Sequence, residues 1–181
     1  MLEFLTQSSS SEYLTWGSQM NTWKVDGENC ALKKLLIDPN SIMTGFGKIE
    51  KGVAPDWVWA SEPGTTIPQP TPEHKPAFSV SCYISQQQGA NADGLRDWQS
   101  NSRAAREAIK AVWENIDKGA KDNAGKWAVV SCEGSTSMQV GPATINVPNL
   151  TLQGWAALPA LQQPEPTPQQ DEVAAAVADV F

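Results

Sequence analysis

A single run of helical periodicity, from about Ser102 to Lys118, constrains the fold more than any other feature of this chain. Its apolar residues recur at intervals of three and four and form one stripe, as in a helix packed on a core: Ala105, Ile109, Val112, Trp113 and Ile116. Ser102 is suited to cap the start of this helix, and Gly119 stands where a glycine often follows the last turn. The rest of the core has to come from strands.

Strand patterns lie on both sides of the helix. Apolar and polar residues alternate from Phe78 to Ser85, which predicts a half-buried strand. Other strand-like runs are Thr22–Val25, Ile42–Ile49, Val53–Ala60, Trp127–Cys132, Thr136–Val140 and Asn149–Ala157. Strands before and after one helix favour a mainly β chain of the α+β class, with an antiparallel sheet or small barrel, over alternating βαβ units.

Composition divides the chain into three parts. Residues 1–21 include a serine run and are predicted to form a flexible lead-in. Residues 22–159 carry the strands and the helix, and they include a proline-rich loop, Ser61–Pro76, that excludes a helix or a central strand there. Residues 160–181 form a Pro/Gln linker followed by a short acidic tip.

Charge and cysteine usage indicate a cytoplasmic protein. The net charge is −7, but four acidic residues lie after Leu161 with no lysine or arginine among them, which leaves the body at about −3. Cys30, Cys82 and Cys132 are an odd number without metal-ligand spacing, so we expect reduced thiols. We expect no signal peptide and no membrane span.

The residue inventory predicts no enzyme, no metal and no cofactor. Phosphate-binding glycine motifs are missing, since Gly45-Phe46-Gly47-Lys48 is too short for such a loop. His74 is the single histidine, and its place in the proline-rich loop predicts a solvated loop residue. A nucleophilic pair of His74 with a cysteine is the weak alternative.

Aromatic and basic residues are concentrated in one predicted hairpin, and this suggests a surface for single-stranded nucleic acid. Phe46, Lys48, Lys51, Trp57 and Trp59 supply rings for base stacking and cations for phosphates. Trp57 and Trp59 are two apart on a strand, so both indoles point to the same face. Glycines within a strand, here Gly45 and Gly47, mark a bulge or a close approach of another backbone or a ligand.

More residues extend this candidate surface. Tyr83 lies on the polar face of its predicted strand, and a second aromatic and basic group precedes and enters the helix: Arg96, Trp98 and Arg103. The competing interpretation is structural, because tryptophans are more often core residues than stacking platforms, above all Trp113, Trp127 and Trp155.

The C-terminal tip, with Asp179, Val180 and Phe181 at its end and Asp171 and Glu172 upstream, resembles that of bacterial and phage single-stranded DNA-binding proteins. In that family the terminal Phe and its carboxylate dock in a basic pocket of replication and repair enzymes. The family's body is an oligonucleotide-binding (OB) β-barrel with one helix. The resemblance covers about the last twelve residues, and this chain lacks the proline before the terminal Phe.

The resemblance implies an OB-like body that binds single-stranded DNA, and a tip that recruits replication or recombination proteins. The Trp-rich body, the Pro-rich insertion and the short length resemble a bacteriophage protein, which would act in the host cytoplasm, and a homo-oligomer is left open. Two alternatives stay open: a phage structural or assembly protein with no nucleic-acid site, and a small inhibitor whose acidity mimics DNA.

Overall fold

A computed structural model describes residues 13–159 of the chain, which form twelve β-strands and one α-helix. The strands before the helix are β1 Tyr13–Gly17, β2 Thr22–Val25, β3 Glu28–Cys30, β4 Lys34–Ile37, β5 Met43–Lys48, β6 Asp56–Trp59, β7 Lys75–Ile84 and β8 Gly94–Ser100. Helix α1 spans Arg103–Ala120, and the strands after it are β9 Trp127–Ser131, β10 Ser135–Val140, β11 Ala143–Pro148 and β12 Thr151–Ala156. A short 3-10 turn, Gln86–Gln88, joins β7 to β8.

Ten of these strands form one curled, open sheet in the shape of a half-barrel. Its main path runs β12-β9-β4-β7-β8-β1-β2-β3, and β5 joins β7 while β6 pairs with β5 alone. The pairs are antiparallel except for β1 with β8. The predicted class, mainly β with one helix and an OB-like sheet, is confirmed.

Strand β7 separates the two faces of the sheet, as its alternation predicts. Phe78, Val80, Cys82 and Ile84 are buried on the face covered by α1, which we call the core face. On the opposite, outer face, Ser79 and Ser81 are half-buried. Tyr83 also lies on this face, where it packs with the buried residues Leu36 and Val129 in a small separate cluster.

Helix α1 forms as predicted at its start and along its stripe. The Ser102 hydroxyl accepts a hydrogen bond from the Ala105 amide, and the stripe residues except Trp113 are fully buried. The prediction for Gly119 is wrong, because the helix continues to Ala120. A Cβ at Gly119 would lie 2.6 Å from Cζ2 of Trp155, so the absence of a side chain at this position lets the Trp155 indole pack against the helix.

The predicted flexible lead-in, residues 1–21, extends too far. Residues 13–17 form strand β1, where Leu14 is completely buried and pairs with Val25 on β2. Trp16 also donates its indole N–H to the Asn146 carbonyl at 2.8 Å, which ties this strand to β11. Residues 1–12, and the predicted linker and tip at 160–181, lie outside the described residues.

Candidate nucleic-acid interface

The β5–β6 hairpin pairs two tryptophans with two glycines. Gly47 pairs with Trp57 and Gly45 with Trp59, and paired residues of an antiparallel ladder project to the same face. A Cβ at Gly47 would lie only 2.2 Å from Cζ3 of Trp57, so the ring rests directly over this glycine. We call Gly45 and Gly47 the glycine floor: Gly47 underlies the Trp57 ring, whereas a Cβ at Gly45 would meet the backbone of Val58 and Trp59, and both are close approaches of the kind that the sequence suggests.

Trp57 and Trp59 stack on one another. Their ring centroids are 5.3 Å apart and their planes differ by 13°, and both side chains are partly exposed. On β7, the neighbours of the glycine floor are Lys75 and Ala77. Since Ala77 alternates with the core residue Phe78, the indoles lie on the outer face, away from the main core. We call this pair the indole platform.

The charge around the platform is more balanced than the lysines alone suggest. Lys48 forms an ion pair with Glu50 at 3.1 Å, and the hydrogen bond and charge of Glu50 raise the pKa of Lys48. Asp56 stands directly across from Lys48 in the ladder, and both alternate with Gly47 and Trp57, so they point to the face opposite the indoles. Lys51 and Lys75 are exposed and make no ion pair within residues 13–159. Lys75, which the sequence analysis missed, becomes a neighbour only through the β5–β7 register.

Phe46 does not join the platform. It pairs with Val58 on one side and Pro76 on the other, so it points to the face opposite the two indoles. Alternation within β5 predicts this separation, because Phe46 stands between Gly45 and Gly47, the two residues that pair with the tryptophans.

Arg103 lies at the same end of the sheet as the hairpin. Asn101, two residues earlier, donates its side-chain N–H to the Gly47 carbonyl at 2.9 Å, which joins the start of α1 to β5. The Arg103 side chain is 54% exposed, and its Nε atom lies 3.9 Å from the Glu107 carboxylate. Arg103 is therefore the residue of the second predicted group that stays accessible, but it begins the helix on the core face, whereas the indoles lie on the outer face.

Three other residues that the sequence predicts to bind nucleic acid are buried, and the prediction is corrected for them: Tyr83, Arg96 and Trp98. Trp98 has no exposed surface and packs edge to face against Trp23 and Phe78, with centroids 5.1 and 5.0 Å apart. It alternates to the core face of β8, so no base can reach it. The predicted group of Arg96, Trp98 and Arg103 therefore does not form one surface, because the first two are buried on β8 and Arg103 is exposed on α1.

Tyr83 and Arg96 serve the fold for different reasons. Tyr83 does lie on the outer face, but Leu36 and Val129 cover it and leave 7% exposed, and this burial raises the pKa of its phenol. Arg96 is also 7% exposed; its guanidinium donates to the Asp26 carboxylate at 3.1 Å and to the Leu95 carbonyl at 2.8 Å. Both are committed to contacts within the chain.

His74 is not the solvated loop residue that its proline-rich surroundings predict. It is 4% exposed, and both ring nitrogens have partners: Nδ1 lies 2.7 Å from Oγ1 of Thr71 and Nε2 lies 3.0 Å from Oδ2 of Asp56. Polar loop composition gave no signal of this burial, since it depends on how the loop folds back on β6.

The cysteines are free thiols, as predicted, and Cys82 and Cys132 are buried. Burial raises the pKa of both buried thiols and also that of Cys30. Within residues 13–159, no three His, Cys, Asp or Glu side chains are grouped to hold a metal ion.

No helix within residues 13–159 combines the length and the apolar character needed to span a membrane. The predicted partner-binding residues Asp179, Val180 and Phe181 lie outside the described residues. In comparisons of the whole chain, no family model matches it, and no curated protein and no solved structure shows significant similarity to it.

Proposed function

We propose that this chain binds single-stranded DNA without catalysing a reaction, and that its C-terminal tip recruits replication or recombination proteins. The observation that carries the first part is the indole platform. Two nearly parallel, partly exposed rings, of which Trp57 rests over Gly47, offer π-faces to bases, and stacking of this kind is indifferent to sequence. Lys75, which pairs with Gly47 beside the platform, and Lys51 in the hairpin turn are exposed and available to phosphates, and Arg103 is exposed at the start of α1.

The near-neutral charge of the hairpin sets the expected character of binding. With Lys48 engaged by Glu50, few cations remain to displace counterions from the strand, so stacking has to supply much of the affinity. Binding should weaken with salt, but with a shallow slope. Replacing Lys51 or Lys75 by alanine should reduce that slope by about 0.7 each, the increment for one phosphate contact on single strands.

Fluorescence anisotropy with labelled oligo-dT of about 16 nucleotides, the upper site size for one OB-type domain, tests the proposal. Trp57→Ala and Trp59→Ala should each cost about 1–3 kcal/mol of binding free energy. Val58→Ala is the matched control, because Val58 lies on the same strand and points to the opposite face. If the wild-type chain shows no salt-sensitive binding, or if all three variants bind alike, the proposal is wrong.

The second part concerns the tip and rests on its resemblance to the tips of single-stranded DNA-binding proteins. Residues 171–181 carry Asp171, Glu172 and Asp179 with no basic residue. Deleting them should leave the affinity for oligo-dT equal or tighter, because an acidic segment competes with phosphates for the same cations. Weaker DNA binding after this deletion would contradict a role confined to partner recruitment.

One observation favours the alternative, a structural or assembly protein. The turn of the same hairpin exposes two apolar side chains, Ile49 at 55% and Val53 at 61%, and such groups often contact another protein. Light scattering after size exclusion, with and without oligo-dT, separates the two functions. Large assemblies without DNA that dissociate in an Ile49→Ser/Val53→Ser variant would favour assembly.

A further inference from the structure

A buried histidine ties the proline-rich loop to the hairpin that carries the indole platform. His74 ends the loop just before β7, Thr71 lies within the loop, and Asp56 is the first residue of β6. The distances of 2.7 Å to Thr71 and 3.0 Å to Asp56 place both contacts within hydrogen-bonding range. We call these three side chains the histidine clip.

The clip lies on the opposite side of the hairpin from the indoles. Asp56 precedes Trp57 on β6, so their side chains project to opposite faces. Asp56 pairs with Lys48, and extending the β5–β7 register by one residue places His74 at that same level. The contact between His74 and Asp56 therefore spans β5 from β7 to β6, on the face of the hairpin opposite the indoles.

Chain topology explains what this bridge holds. Both β6 and β7 are antiparallel to β5 and flank it, so the loop of residues 60–74 has to cross from one side of β5 to the other. Strand β6 has no other partner strand among the described residues. Gln69 folds the loop on itself, since its amide donates to the His74 carbonyl at 2.6 Å. The clip is thus a second attachment for an otherwise exposed edge strand.

Both nitrogens of the His74 ring have partners in the clip. The Asp56 carboxylate accepts from Nε2–H, while the Thr71 hydroxyl can donate to Nδ1 or accept from it. The other charged groups around it are Lys48 and Glu73, and a hydrogen bond from Thr71, aided by Lys48 and His74, lowers the pKa of Glu73.

We propose that His74 is a positioning residue for the indole platform. Through Asp56 it fixes the start of β6 against β5, which keeps Trp57 over Gly47 and parallel to Trp59. Without the clip the edge strand frays and the rings lose their alignment, although neither His74 nor Asp56 contacts the DNA. The consequence for DNA affinity rests on the proposed function, whereas the consequence for β6 does not.

Hydrogen exchange on the full chain tests the clip directly. Asp56→Ala and Thr71→Val should each speed exchange of the β6 amides and of the Ala60 amide, which donates to the Thr44 carbonyl. The expected increase is roughly tenfold or more for Asp56→Ala, which removes a hydrogen bond to a charged carboxylate, and a few-fold for Thr71→Val, while β4 and β9 should not change. Asp56→Asn keeps a carbonyl acceptor for Nε2–H and should restore most of the protection.

Glu62→Ala is the matched control, because it removes one acidic charge from the same loop without touching the ring. Exchange rates of β6 in Asp56→Ala equal to those in Glu62→Ala would overturn the proposal, as would a failure of Asp56→Asn to restore protection. Faster exchange together with several-fold weaker oligo-dT binding is the expected result. If the wild-type chain does not bind oligo-dT, the proposed function fails, and the exchange data still decide whether the clip holds β6.

Discussion

Replacing Gly47 by alanine is the most direct perturbation of the indole platform. The new Cβ would lie 2.2 Å from Cζ3 and 2.4 Å from Cε3 of Trp57, whereas carbon atoms in contact prefer about 3.5–4.0 Å. The methyl carbon is bonded directly to Cα and its position is fixed by the strand backbone, so it cannot turn away. The indole therefore has to move by more than about 1 Å, and its alignment with Trp59 is lost.

The expected cost has two separable parts. Overpacking of this size typically lowers the free energy of unfolding by about 1–3 kcal/mol. Losing one aligned ring removes about 1–3 kcal/mol of stacking from DNA binding, which is a roughly five- to 150-fold increase in Kd. Urea unfolding measures the first quantity, and anisotropy with oligo-dT measures the second.

Gly154→Ala is the control for both measurements. Gly154 is also a strand glycine, in β12, but a Cβ there would meet no atom within 4 Å. Its variant should fold and bind like the wild-type chain. If Gly47→Ala matches Gly154→Ala in stability and in Kd, the account of the glycine floor is refuted. A loss of stability with unchanged Kd would show that the indoles pack there without serving DNA.

Three further predictions concern the body of the fold. Trp98→Ala should lower the free energy of unfolding by about 3–5 kcal/mol, and a loss under about 1 kcal/mol in urea titration would contradict its burial. Gly119→Ala should lower the Tm despite the better helix propensity of alanine, since its Cβ would collide with Trp155; a higher Tm would show that the indole yields. The free energy of unfolding should fall as pH rises above about 8.5, because burial raises the pKa of Cys82 and Cys132 and only the unfolded chain then releases those protons. Cys82→Ala should flatten this decline relative to the wild-type chain in the same buffers, and equal slopes would contradict it.

Local periodicity predicted the parts of the fold that depend on neighbours in sequence. The alternation from Phe78 to Ser85 and the stripe of α1 each record burial on one side, so both elements could be located. Gly119 was misjudged because its role depends on Trp155, which approaches from another strand. A glycine near a helix end has the same local signature in both roles.

In the candidate site, too, local sequence patterns do not reveal contacts with residues that are distant in sequence. Trp57 and Trp98 both stand near basic residues, and only their positions in the sheet separate an indole on the outer face from one in the core. Tyr83 was placed on the correct face, yet packing of distant strands covers it. Lys75 and His74 join the hairpin through the β5–β7 register and the loop crossing, neither of which has a local pattern.

The strand order of the sheet also bears on how the chain matures. Strand β4, from the first quarter of the sequence, is hydrogen-bonded between β7 and β9, and β9 begins only at Trp127. During synthesis the edge of β4 that pairs with β9 therefore stays unpaired until most of the chain has left the ribosome. Pairings so distant in sequence slow folding, and apolar edges such as Leu35-Leu36-Ile37 invite association with other chains. Fragments that end before β9 should aggregate, even though they contain the whole indole platform.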